Sequence, residues 1–243
     1  MTGVDDHVAR LTALVAGPSN RVEGNGTVGL LRRVCGAAVQ TLSASGAGVA
    51  MMAGQGIRGV YAASDPSAER LEELQFTLGE GPCLDAYASR RPVLVPELTD
   101  SAMTRWPIYA PTAHDTGVRA VFAFPLQAGA ARLGVLDVFR DHTGELKPEE
   151  LRQALLLAEI TVGALLDRHE QNGDRISPVD LDEAIEGRAE LFQAQGMVMV
   201  QLGVSIEEAM VRMRAYAYAD NRRLSEVAHD IVARRLFFDP DHT

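Results

Sequence analysis

Six arginines crowd the stretch from Met210 to Arg235: Arg212, Arg214, Arg222, Arg223, Arg234 and Arg235. Only Asp220, Glu226 and Asp230 oppose them, which leaves the segment at six minus three, or +3. A guanidinium is planar, always charged and able to fork onto a phosphate or stack on a base. Tyr216 and Tyr218 lie among these arginines and offer rings on which unpaired bases can stack. That combination suits the loops of a folded RNA better than a smooth duplex. The wider charge argues against it. From Asp180 to the end, twelve acids stand against seven arginines, a net of −5, and the whole chain carries −10. Any contact with a polyanion must therefore be a local patch.

Other reactive residue types are isolated. Cys35 and Cys83 are the only cysteines in the chain, too few for a secreted disulfide framework. Redox chemistry at Cys83 would need an exposed thiolate, and a buried cysteine is ordinarily inert. Gly24, Gly26 and Gly29 fit a dinucleotide-binding glycine pattern by letter, but no strand precedes them, so a loop and helix cap explain them better. His114-Asp115 has no second histidine or acid at ligand spacing, and no metal site is expected. Walker loop, zinc-binding cysteine pattern, nucleophile elbow and kinase signature are all missing. Ser177, Ser205 and Ser225 read as helix caps, and the chain is expected not to be an enzyme.

The arginines need helices to hold them. Ser177-Pro178-Val179-Asp180 is a helix start, with a hydroxyl cap, proline at the first position and an acid at the third. A long helix is expected from Pro178 to Leu202, ended by Gly203. Ser205 opens a second that runs to Tyr218 and breaks at Asn221. Ser225 is expected to cap a third, with Val227, Ala228, Ile231 and Val232 on one face.

Upstream, the pattern is mixed. Residues 4–15 and 28–42 read as amphipathic helices, the second burying Leu30, Leu31, Val34 and Ala38. Val49–Met52 and Ile57–Ala62 form a hairpin about Gly54-Gln55-Gly56. A helix follows Pro66. Val93–Val95, Ala120–Leu126 and Leu133–Phe139 read as strands, the last two joined through Gly129. A closing helix runs from Pro148 to about His169 with a seam of Leu151, Leu155, Ala158, Val162 and Leu165. The start of the chain is acidic and has no apolar core, so it is not read as a signal peptide, and no stretch approaches the roughly 18 apolar residues of a membrane span. The chain is expected to be cytoplasmic.

Two family resemblances organise this reading. The C-terminal segment resembles the ANTAR module. Its ordered matches are Gln193-Ala194-Gln195-Gly196-Met197, then Glu208-Ala209, Met213-Arg214, Ala217, Asn221-Arg222-Arg223-Leu224 and Glu226-Val227-Ala228. Gln195 stands where that family usually has lysine. The resemblance implies RNA binding through Gln193, Gln195, Gly196, Arg214, Tyr218, Asn221, Arg222 and Arg223. Upstream, Leu78-Gly79-Glu80-Gly81-Pro82-Cys83-Leu84-Asp85-Ala86, Arg91-Pro92-Val93-Leu94-Val95-Pro96, Arg105-Trp106-Pro107 and the Pro125…Leu136 hairpin resemble a GAF domain. That implies a sensor with a pocket between its sheet and a covering segment from Phe76 to Pro111, lined by Tyr61, Cys83, Trp106, Phe122 and Phe124. No cofactor is identified, although an unknown small molecule can occupy such a pocket.

The expected fold class is α+β: a GAF-like domain with a central antiparallel sheet flanked by helices, followed by a three-helix ANTAR domain. Its parts are an N-terminal extension (1–24), the sensor (25–170), a polar linker (171–177) and the RNA-binding domain (178–243). The expected function is a signal-responsive antiterminator that binds paired stem-loops of a nascent transcript. The alternative is a small-molecule sensor whose helical module binds a protein partner. A homodimer is expected through residues 28–42, 151–166 and Leu181, Ile185 and Phe192. Neither membrane nor DNA is expected as a partner.

Overall fold

Strand β4 (Ala120–Ala128) explains the architecture. Side chains alternate across a strand, so Phe122, Phe124 and Leu126 enter one core while Val121 and Ala123 enter another. Both faces are apolar, and each therefore needs a layer of helices. The computed structural model describes residues 9–15, 27–53, 56–171, 178–220 and 222–239.

Helices α1 (residues 9–15) and α2 (Thr27–Thr41) lead into β1 (Gly46–Ala53) and β2 (Gly56–Ala63). Next come α3 (Pro66–Leu78), α4 (Pro82–Ser89), β3 (Val93–Val95), α5 (Asp100–Arg105) and α6 (Tyr109–Asp115). Strand β4 then pairs with β5 (Ala131–Arg140), and α7 (Pro148–Gln171) closes this unit. The sheet has five strands in the order β2-β1-β5-β4-β3, every neighbouring pair antiparallel. Helices α2 and α7 cover the face that carries Phe122 and Phe124, and α3 to α6 cover the other. Arg140, buried at the end of β5, donates to Leu42 O and, at 2.9 Å, to Glu150 Oε1, which ties the end of α2 to the start of α7.

Three further helices, α8 (Pro178–Leu202), α9 (Ile206–Ala219) and α10 (Leu224–Val232), make a small bundle. Its centre is Ala194, Val198, Ala209, Met213, Ala217, Val227, Ala228 and Ile231. Ser205 Oγ accepts from Glu208 N at 3.2 Å and caps α9, as its sequence signature required. The start of α10 differs from expectation. Arg223, not Ser225, is its cap residue, and the Glu226 carboxylate reaches back to Arg223 N at 3.4 Å. The acid three residues on can satisfy that end without a hydroxyl.

Two other expectations shift. The covering segment contains three short helices, α4, α5 and α6, that the sequence pattern did not mark out. The apolar side of α2 (Leu30, Leu31, Val34 and Ala38) is consumed inside its own subunit, so α2 offers that stripe to no second copy. Ser177 and the linker from residue 172 lie outside the described residues.

Candidate functional site

The arginines of the helical bundle do not form an open basic surface. Arg223 forms ion pairs with two acids on α3 of the sensor unit, Nε lying 2.7 Å from Glu73 Oε2 and Nη2 3.7 Å from Glu69 Oε2. Arg214, just past the middle of α9, lies over the C-terminal end of α3. A methyl built on Gly79 would sit 3.0 Å from Arg214 Nη1. Gly79 caps α3 with a left-handed backbone (φ 72°), so this site has glycine for two reasons: conformation and clearance. The exposed carbonyls at a helix C-terminus favour a cation there. Burial nevertheless works against the Arg214 charge, and its Nε is buried without a hydrogen-bond partner. Burial also pushes the Glu73 carboxyl up to about 7, with Arg223 opposing the shift and Glu69 and Glu226 adding to it.

Three more arginines are paired within the bundle: Arg222 Nη2 and Arg235 Nε reach the two oxygens of Asp230 at 2.6 and 2.7 Å, and Arg212 Nε reaches Glu208 at 2.8 Å, while Arg234 is exposed. Counting charges along the chain could not reveal this neutralisation. Gln195 is buried, and its amide donates to Ile206 O at 2.7 Å, so it ties α8 to the start of α9 instead of facing solvent. Gly196 is half-buried with open space where a Cβ would stand. Gln193 and Tyr218 are exposed, whereas Tyr216 packs edge-on against Phe238 with ring centroids 5.5 Å apart. Asn221 lies outside the described residues.

The five residues expected to line a sensor pocket do not share one cavity. Cys83 and Trp106 are buried on the α3–α6 side of the sheet, Phe122 and Phe124 on the α2–α7 side. Parity along β4 forces the split, since residues 122 and 124 point the same way and away from the covering helices. The side chain of Tyr61 is outside the described residues. Trp106 Nε1 donates to Asp85 Oδ2 at 3.2 Å, and Arg105 lies over its ring at 4.7 Å and pairs with the same carboxylate, so this tryptophan locks α4 to α5. A cleft of about 520 Å³ opens between α3 and α6, with Asp65, Arg70, Leu74, Thr112 and Asp141 on its walls, and none of the five borders it.

A polar cluster missed by sequence reasoning sits under the covering helices. Glu72 and Gln75 come from α3, Cys83 from α4, Tyr109 from α6 and Asp137 from β5, all fully buried. Gln75 Nε2 donates to Asp137 Oδ2 at 3.2 Å, and Cys83 N donates to Gln75 Oε1 at 2.8 Å. Burial, reinforced by the neighbouring Asp137, pushes the Glu72 carboxyl well above the usual range, and burial pushes Asp137 up to about 6. Two carboxyls so placed keep a proton between them. Asp137 was the available signal, a single acid inside the apolar run Leu133-Gly134-Val135-Leu136-Asp137-Val138-Phe139.

Comparison with known proteins places both units. The family model described as a GAF domain matches residues 28–165, and the one described as an ANTAR domain matches residues 179–232. Among solved structures, the GAF domain from an Acinetobacter phosphoenolpyruvate-protein phosphotransferase aligns at a TM-score of 0.51 with 11% identity, covering 70% of this chain and 97% of that one. The GAF domain from a phosphoenolpyruvate-protein phosphotransferase of Coxiella burnetii aligns at 0.51 with 13% identity, covering 70% and 96%. These likenesses show the fold. No curated protein matches the sequence. Among the described residues no helix is long and apolar enough to cross a membrane.

Proposed function

The chain belongs to the GAF domain family and carries an ANTAR domain after it, and on that premise we propose that it is a signal-responsive transcription antiterminator. In this reading the ANTAR domain binds paired stem-loops of a nascent mRNA in the cytoplasm, and the GAF domain decides when it can. GAF and ANTAR are sensory and regulatory kinds of domain, which suits a binding switch better than a catalyst.

The observation that carries the reading is the contact between α3 and the two arginines. Arg214 and Arg223 stand at positions that match the ANTAR pattern; the sensor pairs Arg223 with Glu69 and Glu73 and packs the end of α3 against Arg214. A phosphate or a base must compete with Glu69, Glu73 and the end of α3 for them. In this reading the contact restrains RNA binding. Signal at the sensor shifts α3, releases both guanidinium groups and completes the RNA surface with Arg222, Asn221 and the exposed Gln193 and Tyr218. Gln195 supports that surface from beneath through its bond to Ile206 O.

A homodimer fits the same scheme. Leu155 and Leu166 on α7, and Phe192 and Val200 on α8, are large apolar side chains 40–74% exposed. Two copies can cover them, and light scattering at micromolar concentration should give twice the chain mass.

The test is a titration of the full chain into a labelled two-hairpin RNA at fixed salt, beside a loop-scrambled control. Loop-dependent binding that weakens at least severalfold in Arg214→Ala/Arg223→Ala supports the proposal. Equal affinity for both RNAs overturns it in favour of a second reading, in which the bundle binds a protein partner. The internal pairing of Arg212, Arg222 and Arg235 is what favours that alternative.

A further inference from the structure

Glu72, Cys83, Asp137 and Tyr109 are fully buried; apart from the proton shared by the two carboxyls and the Cys83 thiol, nothing meets Glu72 Oε1 and Oε2 or Asp137 Oδ1, and the Tyr109 hydroxyl has no hydrogen-bond partner. Native interiors rarely leave even one such atom unmatched, because it gives up its hydration for nothing. The four residues face one another. The Glu72 carboxylate, the Cys83 sulfur and the Asp137 carboxylate each bring an atom within 4.8 Å of the other two. The Tyr109 hydroxyl is near enough to feel the charge of Asp137, Glu72 and Cys83. Donors held by bonds of about 2.0–2.3 Å around a tetrahedral zinc ion lie roughly 3.3–3.8 Å apart, so the three side chains would draw together by up to about 1 Å to close around a cation. Gly48 and Gly81 let the cluster's side chains in: a methyl on Gly48 would lie 2.5 Å from the Glu72 side chain, and one on Gly81 would lie 2.4 Å from Gln75 Oε1.

We propose that Glu72, Cys83 and Asp137 bind one divalent transition cation of the zinc type, with the Tyr109 hydroxyl beside the fourth coordination position. One sulfur and two carboxylates suit a borderline cation. Magnesium and calcium prefer all-oxygen shells of six or more ligands, and copper(I) prefers more sulfur. On loading, the thiol proton of Cys83 and the proton kept between the carboxyls pass to solvent, and the cation takes their place; nothing is oxidised. Gln75 acts as a positioning residue, since it donates to Asp137 Oδ2 and accepts from Cys83 N. This departs from the sequence expectation of no metal site, because Glu72 and Asp137 lie far apart in the chain and only the fold joins them. The site stands independently of the RNA reading, and its test uses no RNA.

The full-length chain, reduced and stripped of metal, is titrated with Co²⁺ as a spectroscopic stand-in for Zn²⁺. One equivalent should produce a thiolate-to-cobalt charge-transfer band and the visible bands of a four-coordinate site, both bleached by stoichiometric Zn²⁺. Cys83→Ser should abolish the charge-transfer band, whereas Cys35→Ala should keep it, since Cys35 is buried in the other core. Glu72→Gln should weaken zinc about tenfold or more in competition with a chromophoric chelator, while its circular dichroism stays native. Should a variant fail to fold, the wild-type spectrum decides alone. A folded wild-type chain with no such band at stoichiometric Co²⁺, or a band that survives Cys83→Ser, overturns the proposal.

Discussion

Arg223 of the helical bundle and Glu73 of the sensor meet at 2.7 Å, with Glu69 one turn back on the same helix at 3.7 Å. The Glu73 side chain is only 22% exposed, so the pair is better shielded from salt than an ordinary surface contact. If this contact restrains RNA binding, Glu69→Gln/Glu73→Gln should raise the affinity of the full chain for the two-hairpin RNA about three- to tenfold, within the usual range of coupling between sites. Fluorescence anisotropy at fixed salt reads it. A loop-scrambled RNA should gain less, and equal gains would point to simple loss of negative charge.

Gly79 has two constraints that one substitution violates together. Its left-handed backbone costs a side-chain-bearing residue about 1–2 kcal/mol, and the added methyl would meet Arg214 Nη1 at 3.0 Å. Gly79→Ala should lower the unfolding free energy in urea by about that cost, moving the midpoint down, and loosen the docking of Arg214. An unchanged midpoint would mean that the α3 terminus relaxes freely.

Arg140 should be the costliest surface-to-core tie to cut. Its side chain is 4% exposed and serves Leu42 O and Glu150 together. Removing one partner of a buried pair costs about 3–5 kcal/mol, so Arg140→Ala should approach that loss in equilibrium urea unfolding. A loss under about 1 kcal/mol, the scale of an exposed pair, would show that water replaces the guanidinium.

Cys35 should resist thiol reagents. It lies on α2, fully buried against the sheet, and burial pushes its thiol well above the usual range. The thiolate is the reactive form. Labelling of the native chain at neutral pH should therefore track unfolding and accelerate with urea. Rapid labelling in buffer would reveal local opening of the α2 face.

Sequence pattern captured the elements whose period is long and clean. The α7 and α8 helices, the β1–β2 and β4–β5 hairpins and the Ser205 cap all follow from spacing and end signals. The short helices α4, α5 and α6 escaped because glycine and proline punctuate them and each is too brief to show periodicity. Pocket residues were chosen by type, yet strand parity sends Phe122 and Phe124 to the opposite face from Cys83. The arginine cluster looked open because charge counts ignore partners distant in the chain. Glu69 and Glu73, which hold Arg223, belong to another domain. Glu72 and Asp137 were invisible for the same reason, except that a lone acid in an apolar strand was a clue.

Helix α3 places Glu72 in the interior and Glu69 and Glu73 against the bundle, although residues 72 and 73 are adjacent. Any tilt of this 13-residue helix is felt on both sides simultaneously. Input and output are then separated by one helix diameter, about 10 Å, and no relay of side chains has to be crossed. A rigid shift of that kind breaks no backbone hydrogen bond, so the pace of switching should be that of collective element motion, microseconds to milliseconds. On the proposed reading, that is quick enough to act while the hairpins of a growing transcript are still choosing their partners.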